Sequence, residues 1–180
     1  MKAVRLATIL VLFAAIAFVS CANQPSPNTE EQPPIVPGKP AAEGKEAPDF
    51  TLPTLDGRSL SLSSFRGQIV VLKFWGIACR ACVEELPLFQ AVSDKWLGKA
   101  VVLAINERDS SEVVQKTLDN LGLTLPVLLD SEGKVCERYG RGYPTTFFID
   151  YNGIVRLIDD RLFDNSDQID SIIADLVSGY

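Results

Sequence analysis

Two cysteines separated by two residues, Cys79 and Cys82, are the side chains of this chain best suited to chemistry. Such a pair can bind a metal, brace the fold or exchange disulfide bonds. A zinc site of this spacing needs two further Cys or His ligands, but the sequence has no His and, apart from Cys21 near the N-terminus, only Cys136 is left. A brace that closes so short a loop gives little entropic stabilisation. Redox chemistry is therefore the strongest interpretation, with no metal and no cofactor expected.

The residues around the pair predict how the two thiols differ. An apolar run over residues 68–75 predicts a buried strand, and a helix is predicted from Cys79. Cys79 is then at a helix N-terminus, where the helix dipole and free N–H groups favour a thiolate, and Arg80 adds a positive charge. Cys82 lies one turn inside the helix and is expected to be shielded. The pattern makes Cys79 the attacking thiol and Cys82 the resolving thiol.

Strand and helix signals alternate through the part of the chain that carries the pair. An N-terminal hairpin is predicted around the turn Asp56-Gly57, and the last strand signals form a second hairpin. Strands are predicted at 68–75, 100–106, 125–130, 142–150 and 154–159, and helices from 79, from 110 or 111 to 121, at 134–139, and from 165 or 166 to 177. Strands joined by helices imply a parallel portion of a sheet, to which the closing hairpin adds an antiparallel edge. The predicted fold class is α/β, in one domain.

The N-terminus predicts export. Residues 1–5 carry two positive charges, residues 6–19 are almost wholly apolar, and "FVSC" ends the run at Cys21. At 1.5 Å per residue the apolar run reaches roughly 21 Å, short of the ~30 Å of a bilayer core, so a secretory signal is favoured over a membrane anchor. The segment resembles a bacterial lipoprotein signal, which implies that Cys21 is lipidated and becomes the first residue of the mature chain.

A proline-rich stretch follows the predicted lipidation site. Residues 22–43 contain few large apolar side chains and repeated Pro, which predicts an extended, exposed tether. The predicted organisation is a signal peptide at 1–20, the lipidated Cys and linker at 21–43, and one domain at 44–180. The formal charge of −6 becomes −8 when residues 1–20 are removed. An acidic chain without clustered Lys and Arg argues against nucleic acid as a partner.

Several blocks of the sequence resemble one known family. "APDFTLPTLDGRSLSLSSFRGQIVVLKFW", the Cys79 and Cys82 pair, "LPVLLDSEGKVCERYG" and "GYPTTFFIDYNG" follow one another along the chain. Together they resemble the membrane-anchored, thioredoxin-like thiol-disulfide oxidoreductases of the TlpA and ResA type, over residues 44–177. The resemblance implies a thioredoxin-like fold with a mixed central sheet flanked by helices, an N-terminal β-hairpin and a helix-strand insertion at 110–130.

The resemblance also implies roles for residues near the cysteines. Trp75 matches the tryptophan four residues before the first catalytic Cys, and Pro87 matches the proline that kinks the active-site helix. Pro144 matches the proline that the family holds in cis opposite the disulfide. Tyr143, just before it, would offer its backbone to a substrate peptide. Trp75, Tyr143 and Pro144 are therefore the residues expected to bind substrate.

Two positions depart from the related sequences. Thioredoxin has a buried Asp six residues before its first Cys, where this chain has Lys73, and Ala78 replaces the Trp that usually precedes that Cys. Glu85 lies three residues past Cys82, on the same helical face, and matches an active-site glutamate of the ResA branch. Glu85 is therefore the candidate catalytic carboxylate. The alternative is a solvated side chain, as expected of Glu84.

The function implied by the resemblance is the exchange of disulfides, in the direction of reduction, in extracytoplasmic proteins. The family's best-known setting is the maturation of c-type cytochromes. The implied partners are protein thiols and disulfides, a membrane-bound thiol electron donor and, through the lipid anchor, a bacterial membrane. A monomer is expected. Cys136 falls where the family often has Ala, so it is either a small buried thiol or a third redox-active Cys.

Two other functions are weighed against this one. A peroxiredoxin shares the "APDFTL" opening and attacks peroxide with a single Cys, usually preceded three residues earlier by Thr. Gly76 occupies that position, and the nearby Cys82 fits a dithiol enzyme better. A copper-delivery module of related fold is the second alternative, but it requires a His ligand, which this chain lacks.

Overall fold

The structure, a computed structural model, describes residues 40–179. The predicted signal peptide, Cys21 and the linker up to residue 39 lie outside the described residues. Within residues 40–179 the elements are β1 (Thr51–Pro53), β2 (Ser59–Ser61), a 3₁₀ turn (Leu62–Phe65), β3 (Ile69–Trp75), α1 (Arg80–Lys95), β4 (Ala100–Glu107), α2 (Ser111–Leu121), β5 (Val127–Asp130), α3 (Lys134–Tyr139), β6 (Thr145–Ile149), β7 (Val155–Asp159) and α4 (Ser166–Ser178).

Five strands form the central sheet in the order β5-β4-β3-β6-β7, and β1 pairs with β2 in a separate hairpin. β3, β4 and β5 are parallel, whereas β6 is antiparallel to both β3 and β7. The predicted α/β, thioredoxin-like fold with its N-terminal hairpin is confirmed. The antiparallel part was predicted only at the edge, but it begins at the centre of the sheet, because β6 pairs with β3.

The central strand β3 is buried along its whole length, as the apolar run predicts. Its side chains alternate between the two faces of the sheet. Val71 and Trp75 face the core cluster that includes buried residues of α1, α2 and α4, and Leu72 and Phe74 face the cluster that includes α3 and the N-terminal hairpin. The same alternation places Lys73 on the face that α1 covers, where its ammonium lies over the ring of Phe89.

Helix α1 carries the residues that follow the first cysteine. Its buried side chains, three and four positions apart, form one stripe against the sheet: Cys82, Glu85, Leu86, Phe89 and Val92. The helix begins at Arg80, one residue later than predicted, because Cys79 is its N-cap. Pro87 lies inside the helix, as predicted, where it has no N–H to donate to the carbonyl of Val83.

Residues 40–43, which the sequence assigns to the exposed linker, pack against the domain. Ala41 is buried within the core cluster beside α3. The Glu43 carboxylate accepts the backbone N–H of Ile158 on β7 at 2.9 Å. Residues 40–43 therefore contact the domain that is predicted to begin at residue 44.

Across residues 40–179, no helix combines the length and apolar character needed to cross a bilayer.

Candidate active site

A disulfide joins Cys79 and Cys82 where β3 ends and α1 begins. The two sulfurs are 2.05 Å apart and the two α-carbons 5.2 Å apart. The Cys79 Sγ accepts the backbone N–H of Cys82 at 3.2 Å. Cys79 is half-buried at the N-cap of α1, whereas Cys82 is 0% exposed. Cys79 therefore holds the outer position and Cys82 the shielded one, as their spacing predicts.

Arg80 contributes less positive charge at Cys79 than the sequence suggests. Its side chain is 91% exposed, and its Nε donates to Glu84 Oε1 at 2.8 Å. Water and salt screen an exposed charge, and the paired carboxylate offsets it further. The dipole and the free N–H groups of α1 remain as the features that favour a thiolate at Cys79.

The loop before β6 contacts the segment that leads into the disulfide. The peptide bond between Tyr143 and Pro144 is cis, as the resemblance implies. The Tyr143 ring packs so closely on Gly76 that a β-carbon added at Gly76 would lie 2.8 Å from two ring atoms. Gly76 in turn accepts the backbone N–H of Cys79 through its carbonyl oxygen at 3.0 Å. Tyr143 and Cys79 therefore meet the same glycine.

A carboxylate from the loop after β4 also holds this segment. Asp109 Oδ2 accepts the backbone N–H of Ile77 at 2.8 Å and the Asn106 amide at 2.9 Å. Asn106 lies beside Trp75 in the register of β3 and β4, at the carboxyl end of both strands. Sequence reasoning missed Asp109. The signal that could have found it is a polar residue near the carboxyl end of a strand parallel to β3, followed three positions later by an acid.

Glu85 is buried, so the alternative of a solvated side chain is wrong. Its carboxylate Oε2 lies 2.5 Å from the Lys73 Nζ, and both side chains are almost fully inaccessible, at 3% and 0%. Its Oε1 accepts the backbone N–H of Phe163 at 2.6 Å. Glu84, in contrast, is exposed. Lys73, which stands where thioredoxin has a buried Asp, and Glu85, the candidate catalytic carboxylate, thus form one buried ion pair beneath α1.

Burial lowers the pKa of the Lys73 ammonium, since a charged group loses its hydration there. The hydrogen bond to Glu85, and then the charges of Glu85 and Asp159, oppose this shift. Asp159 on β7 is itself buried and paired with the exposed Arg161 at 2.9 Å. A hydrogen bond from Arg161 holds the pKa of Asp159 below its usual range. The two carboxylates therefore offset only part of the effect of burial on Lys73.

Trp75 does not reach the surface of the site. Its side chain is 0% exposed and belongs to the same core cluster as Cys82. A side chain without exposed surface cannot contact a protein substrate in this conformation, so the predicted role of Trp75 in substrate binding needs correction. Trp75 packs within the core on which the disulfide rests.

Comparisons with known proteins agree with this geometry. The sequence profile of the AhpC/TSA family matches residues 44–158. The chain belongs to the AhpC/TSA family. Among its relatives, the thiol-disulfide oxidoreductase ResA of Geobacillus thermodenitrificans is 35% identical over 156 residues, which cover 86% of this chain and 84% of that protein. The thioredoxin-like protein YneN of Bacillus subtilis is 34% identical over 63% of this chain and 69% of its own length.

Solved structures resemble this AhpC/TSA family member in fold and sequence. A putative thiol:disulfide interchange protein DsbE from Chlorobium tepidum is 31% identical, with a TM-score of 0.69 over 76% of this chain and 99% of that one. The exposed lipoprotein thioredoxin Etrx1 of Streptococcus pneumoniae is 33% identical, with a TM-score of 0.61 over 71% and 99%. With these relatives and a disulfide at the start of α1, the protein is a thiol-disulfide oxidoreductase.

The third described cysteine of this family member, Cys136, lies apart from the disulfide, on α3. It is 4% exposed, and its thiol lies 3.0 Å from both Glu107 Oε2 and the Arg141 carbonyl oxygen. Burial, followed by the hydrogen bond to Glu107, raises the pKa of Cys136 to about 12. A protonated, buried thiol is a poor nucleophile. These contacts favour the interpretation of Cys136 as a structural thiol.

Proposed function

We propose that this protein reduces disulfide bonds in extracytoplasmic proteins, with Cys79 as the attacking thiol and Cys82 as the resolving thiol. The observation that carries the proposal is the contrast in exposure across the disulfide. Cys79 is accessible at the N-cap of α1, whereas Cys82 has no exposed surface. Only an accessible sulfur can meet a sulfur of another protein, and the helix N-terminus favours its thiolate.

The exchange takes two steps. The Cys79 thiolate attacks one substrate sulfur, and the other substrate sulfur leaves as a thiolate and takes up a proton. Cys82 then loses its proton and attacks the Cys79 sulfur, which releases the second substrate thiol and closes the Cys79–Cys82 disulfide. Two electrons pass from the enzyme dithiol to the substrate disulfide. A membrane-bound thiol electron donor then reduces the enzyme again.

Tyr143 and Pro144 are proposed to bind the substrate chain beside Cys79. Both residues are partly exposed, and the packing of the Tyr143 ring on Gly76 brings their loop to the segment before the attacking cysteine. The loop is fixed by Thr145, whose hydroxyl donates to the Gly142 carbonyl oxygen at 2.6 Å. A rigid loop at this position lowers the entropy lost when a substrate binds.

A lipid anchor at Cys21 is proposed to hold the enzyme at a bacterial membrane, on the extracytoplasmic side. The support is the sequence: a charged start, a short apolar run and "FVSC", followed by a proline-rich linker. One solved relative is itself named an exposed lipoprotein thioredoxin. Disulfide exchange on folded proteins also fits a compartment in which disulfides persist.

The maturation of c-type cytochromes is the setting we propose, with the enzyme acting as a monomer. This proposal rests on the resemblance to the ResA type and on the identity to proteins of that name. A thiol peroxidase fits less well. The Tyr143 ring occupies the space that a side chain at position 76 would need, and a peroxiredoxin usually has Thr there.

The test is a trapping experiment with the mature protein. Cys82→Ser should retain substrates as mixed disulfides on Cys79, because the resolving thiol is gone. Cys79→Ser should trap none, and the wild-type enzyme should reduce insulin disulfides in the presence of dithiothreitol. Equal trapping by the two variants would contradict the division of roles. A wild-type enzyme that leaves insulin oxidised would contradict reduction itself.

A further inference from the structure

A buried cation lies on the face of the sheet that α1 covers. Lys73 belongs to β3, six residues before Cys79. Its side chain is 0% exposed, and its Nζ lies 2.5 Å from Glu85 Oε2 and 5.1 Å from the centre of the Phe89 ring. A charged lysine is almost never fully buried unless it is paired. Glu85 and the face of the Phe89 ring together stabilise the ammonium here.

The same contacts orient the Glu85 carboxylate. One carboxylate oxygen faces the ammonium and the other accepts the backbone N–H of Phe163 at 2.6 Å. Both carboxylate oxygens therefore have a donor, and Lys73 is one of the two groups that hold the Glu85 carboxylate in its orientation.

Glu85 also lies next to the thiol that has no access to solvent. It follows Cys82 by three residues, and both side chains are on the buried stripe of α1. When Cys82 acts as the resolving thiol it must lose a proton, and bulk water does not reach its side chain. A buried carboxylate one helical turn away is suited to accept that proton.

We propose that Lys73 is a positioning residue for the resolving step, because it holds Glu85 as an oriented carboxylate that accepts the thiol proton of Cys82. The proposal rests on the proposed function, since it assumes that Cys82 resolves a mixed disulfide. In this step the S–H bond of Cys82 breaks and its proton passes to Glu85. The Cys82 thiolate attacks Cys79 Sγ, and the substrate sulfur leaves with the electron pair of the broken S–S bond. Glu85 then returns the proton to that sulfur or to water.

Few other charged groups act on this pair among the described residues. Asp159 on β7 acts on the Lys73 ammonium, and Arg161 pairs with that carboxylate. On α1, Cys82 shares the buried stripe with Glu85, and the segment before α4 contributes the N–H of Phe163. The exposed Arg80 pairs with Glu84 instead. Among the described residues, Lys73 is therefore the cation paired with the Glu85 carboxylate.

The experiment follows the reaction of the fully reduced mature enzyme with Ellman's reagent in stopped flow. Attack by Cys79 releases the first thionitrobenzoate in a phase whose rate depends on reagent concentration. Resolution by Cys82 releases the second in a phase that does not. The second phase is measured from pH 5 to pH 9 for wild type, Lys73→Met, Glu85→Gln and the double variant. Circular dichroism establishes that each variant is folded.

The expected result is selective for the second phase. Lys73→Met should slow that phase by at least about tenfold at pH 7, a part of the roughly 10²–10⁴-fold that a positioned general base contributes. It should also shift the pH midpoint of that phase upward, while the first phase changes by less than about twofold. Glu85→Gln should slow the second phase by a similar factor. In that background, Lys73→Met should no longer shift the pH midpoint of the second phase. The double variant should match Glu85→Gln, because Lys73 acts through Glu85.

Two results would overturn the proposal. One is a folded Lys73→Met, or a Glu85→Gln, whose second phase matches wild type at every pH. The other is a double variant about tenfold slower or faster than Glu85→Gln, which would mean that Lys73 acts on the thiols directly. If Lys73→Met does not fold, this second comparison decides, since the double variant leaves no unpaired buried charge. Failure of the proposed function would be separate, because wild type would then lack one of the phases.

Discussion

The ring of Tyr143 lies directly against the α-carbon of Gly76, in the space where any other residue would place its β-carbon. A β-carbon there would lie 2.8 Å from Cε1 and Cζ of Tyr143, closer than real contacts allow. Gly76 also accepts the N–H of Cys79. The absence of a side chain at position 76 therefore lets the loop that carries the cis peptide bond approach the attacking cysteine.

Gly76→Ala should displace the Tyr143 ring toward solvent and weaken the binding of protein disulfides. The fold should survive, because Tyr143 is only half-buried and can move. We expect the KM for a protein substrate to rise by at least about threefold, which corresponds to about 0.7 kcal/mol of lost binding. Gly142→Ala in the same loop is the matched control, since its β-carbon meets nothing within 4 Å. An unchanged KM for Gly76→Ala would show that the contact has no role in binding.

Alkylation of the reduced protein at pH 7 should label Cys79 before Cys82. Cys79 is accessible at the N-cap of α1, and Cys82 is fully buried. We expect the rates to differ by about tenfold or more, as for thiols that differ in both access and thiolate content. Peptide mapping by mass spectrometry after timed exposure to iodoacetamide measures both rates. Comparable labelling rates would mean that Cys82 becomes accessible on reduction. The exposure of each sulfur in the disulfide form would then not show which thiol attacks and which resolves.

Cys136 should resist alkylation in the folded protein at pH 8. Burial and the Glu107 carboxylate raise the pKa of this thiol to about 12, so it stays protonated there. Full labelling is expected only in denaturant. The folded state holds the proton more tightly than the unfolded chain, whose thiol ionises near pH 8.5. The stability that this thiol contributes is therefore present below that pH and is lost as the pH rises above it.

The control for this pH dependence is Cys136→Ser, which keeps a hydroxyl donor but does not ionise in this range. Denaturant unfolding from pH 7 to pH 10 should show a steeper loss of stability for wild type than for the serine variant. Parallel curves would contradict the shift, and rapid labelling of folded wild type at pH 8 would instead favour a redox-active Cys136.

Asp109→Ala should destabilise the segment that precedes the disulfide. Removal of the carboxylate leaves the Ile77 N–H and the Asn106 amide without this acceptor. We expect the free energy of unfolding to fall by about 1–3 kcal/mol and disulfide exchange to slow. Asp119→Ala is the control, because that carboxylate is exposed and accepts from Gln115 on the same helix. Its effect should stay within about 0.5 kcal/mol, and equal effects of the two variants would contradict the special role of Asp109.

Cys21→Ala should release the protein from membranes or block its processing. The expectation follows from the lipoprotein-like signal, because a lipid on Cys21 would be the anchor. Fractionation of cells and the electrophoretic mobility of the product measure the outcome, with Cys136→Ala as a control for the loss of a cysteine elsewhere. A variant that fractionates and migrates as wild type does would rule out the lipid anchor.

Local sequence was enough to predict the elements that position the disulfide. The buried strand before Cys79, the helix after it and the Asp56-Gly57 hairpin each depend on neighbours within a few residues, so their signals lie in short stretches. The order Cys-x-x-Cys at a strand-to-helix junction fixed which sulfur caps α1. The contacts that residues 40–43 make with the domain had no such signal, because one buried alanine leaves no periodic pattern.

The sequence by itself determined the dithiol chemistry, the α/β alternation and the family. Only the tertiary structure decided which distant side chains meet: Lys73 with Glu85, Ile77 with Asp109, and Gly76 with Tyr143. These contacts join residues 12 to 67 positions apart in the chain. Strand register and the packing of α1 on β3 bring them together. Composition and periodicity describe each segment alone. Neither could reveal that Lys73, which stands where thioredoxin has a buried acid, pairs with the carboxylate of Glu85.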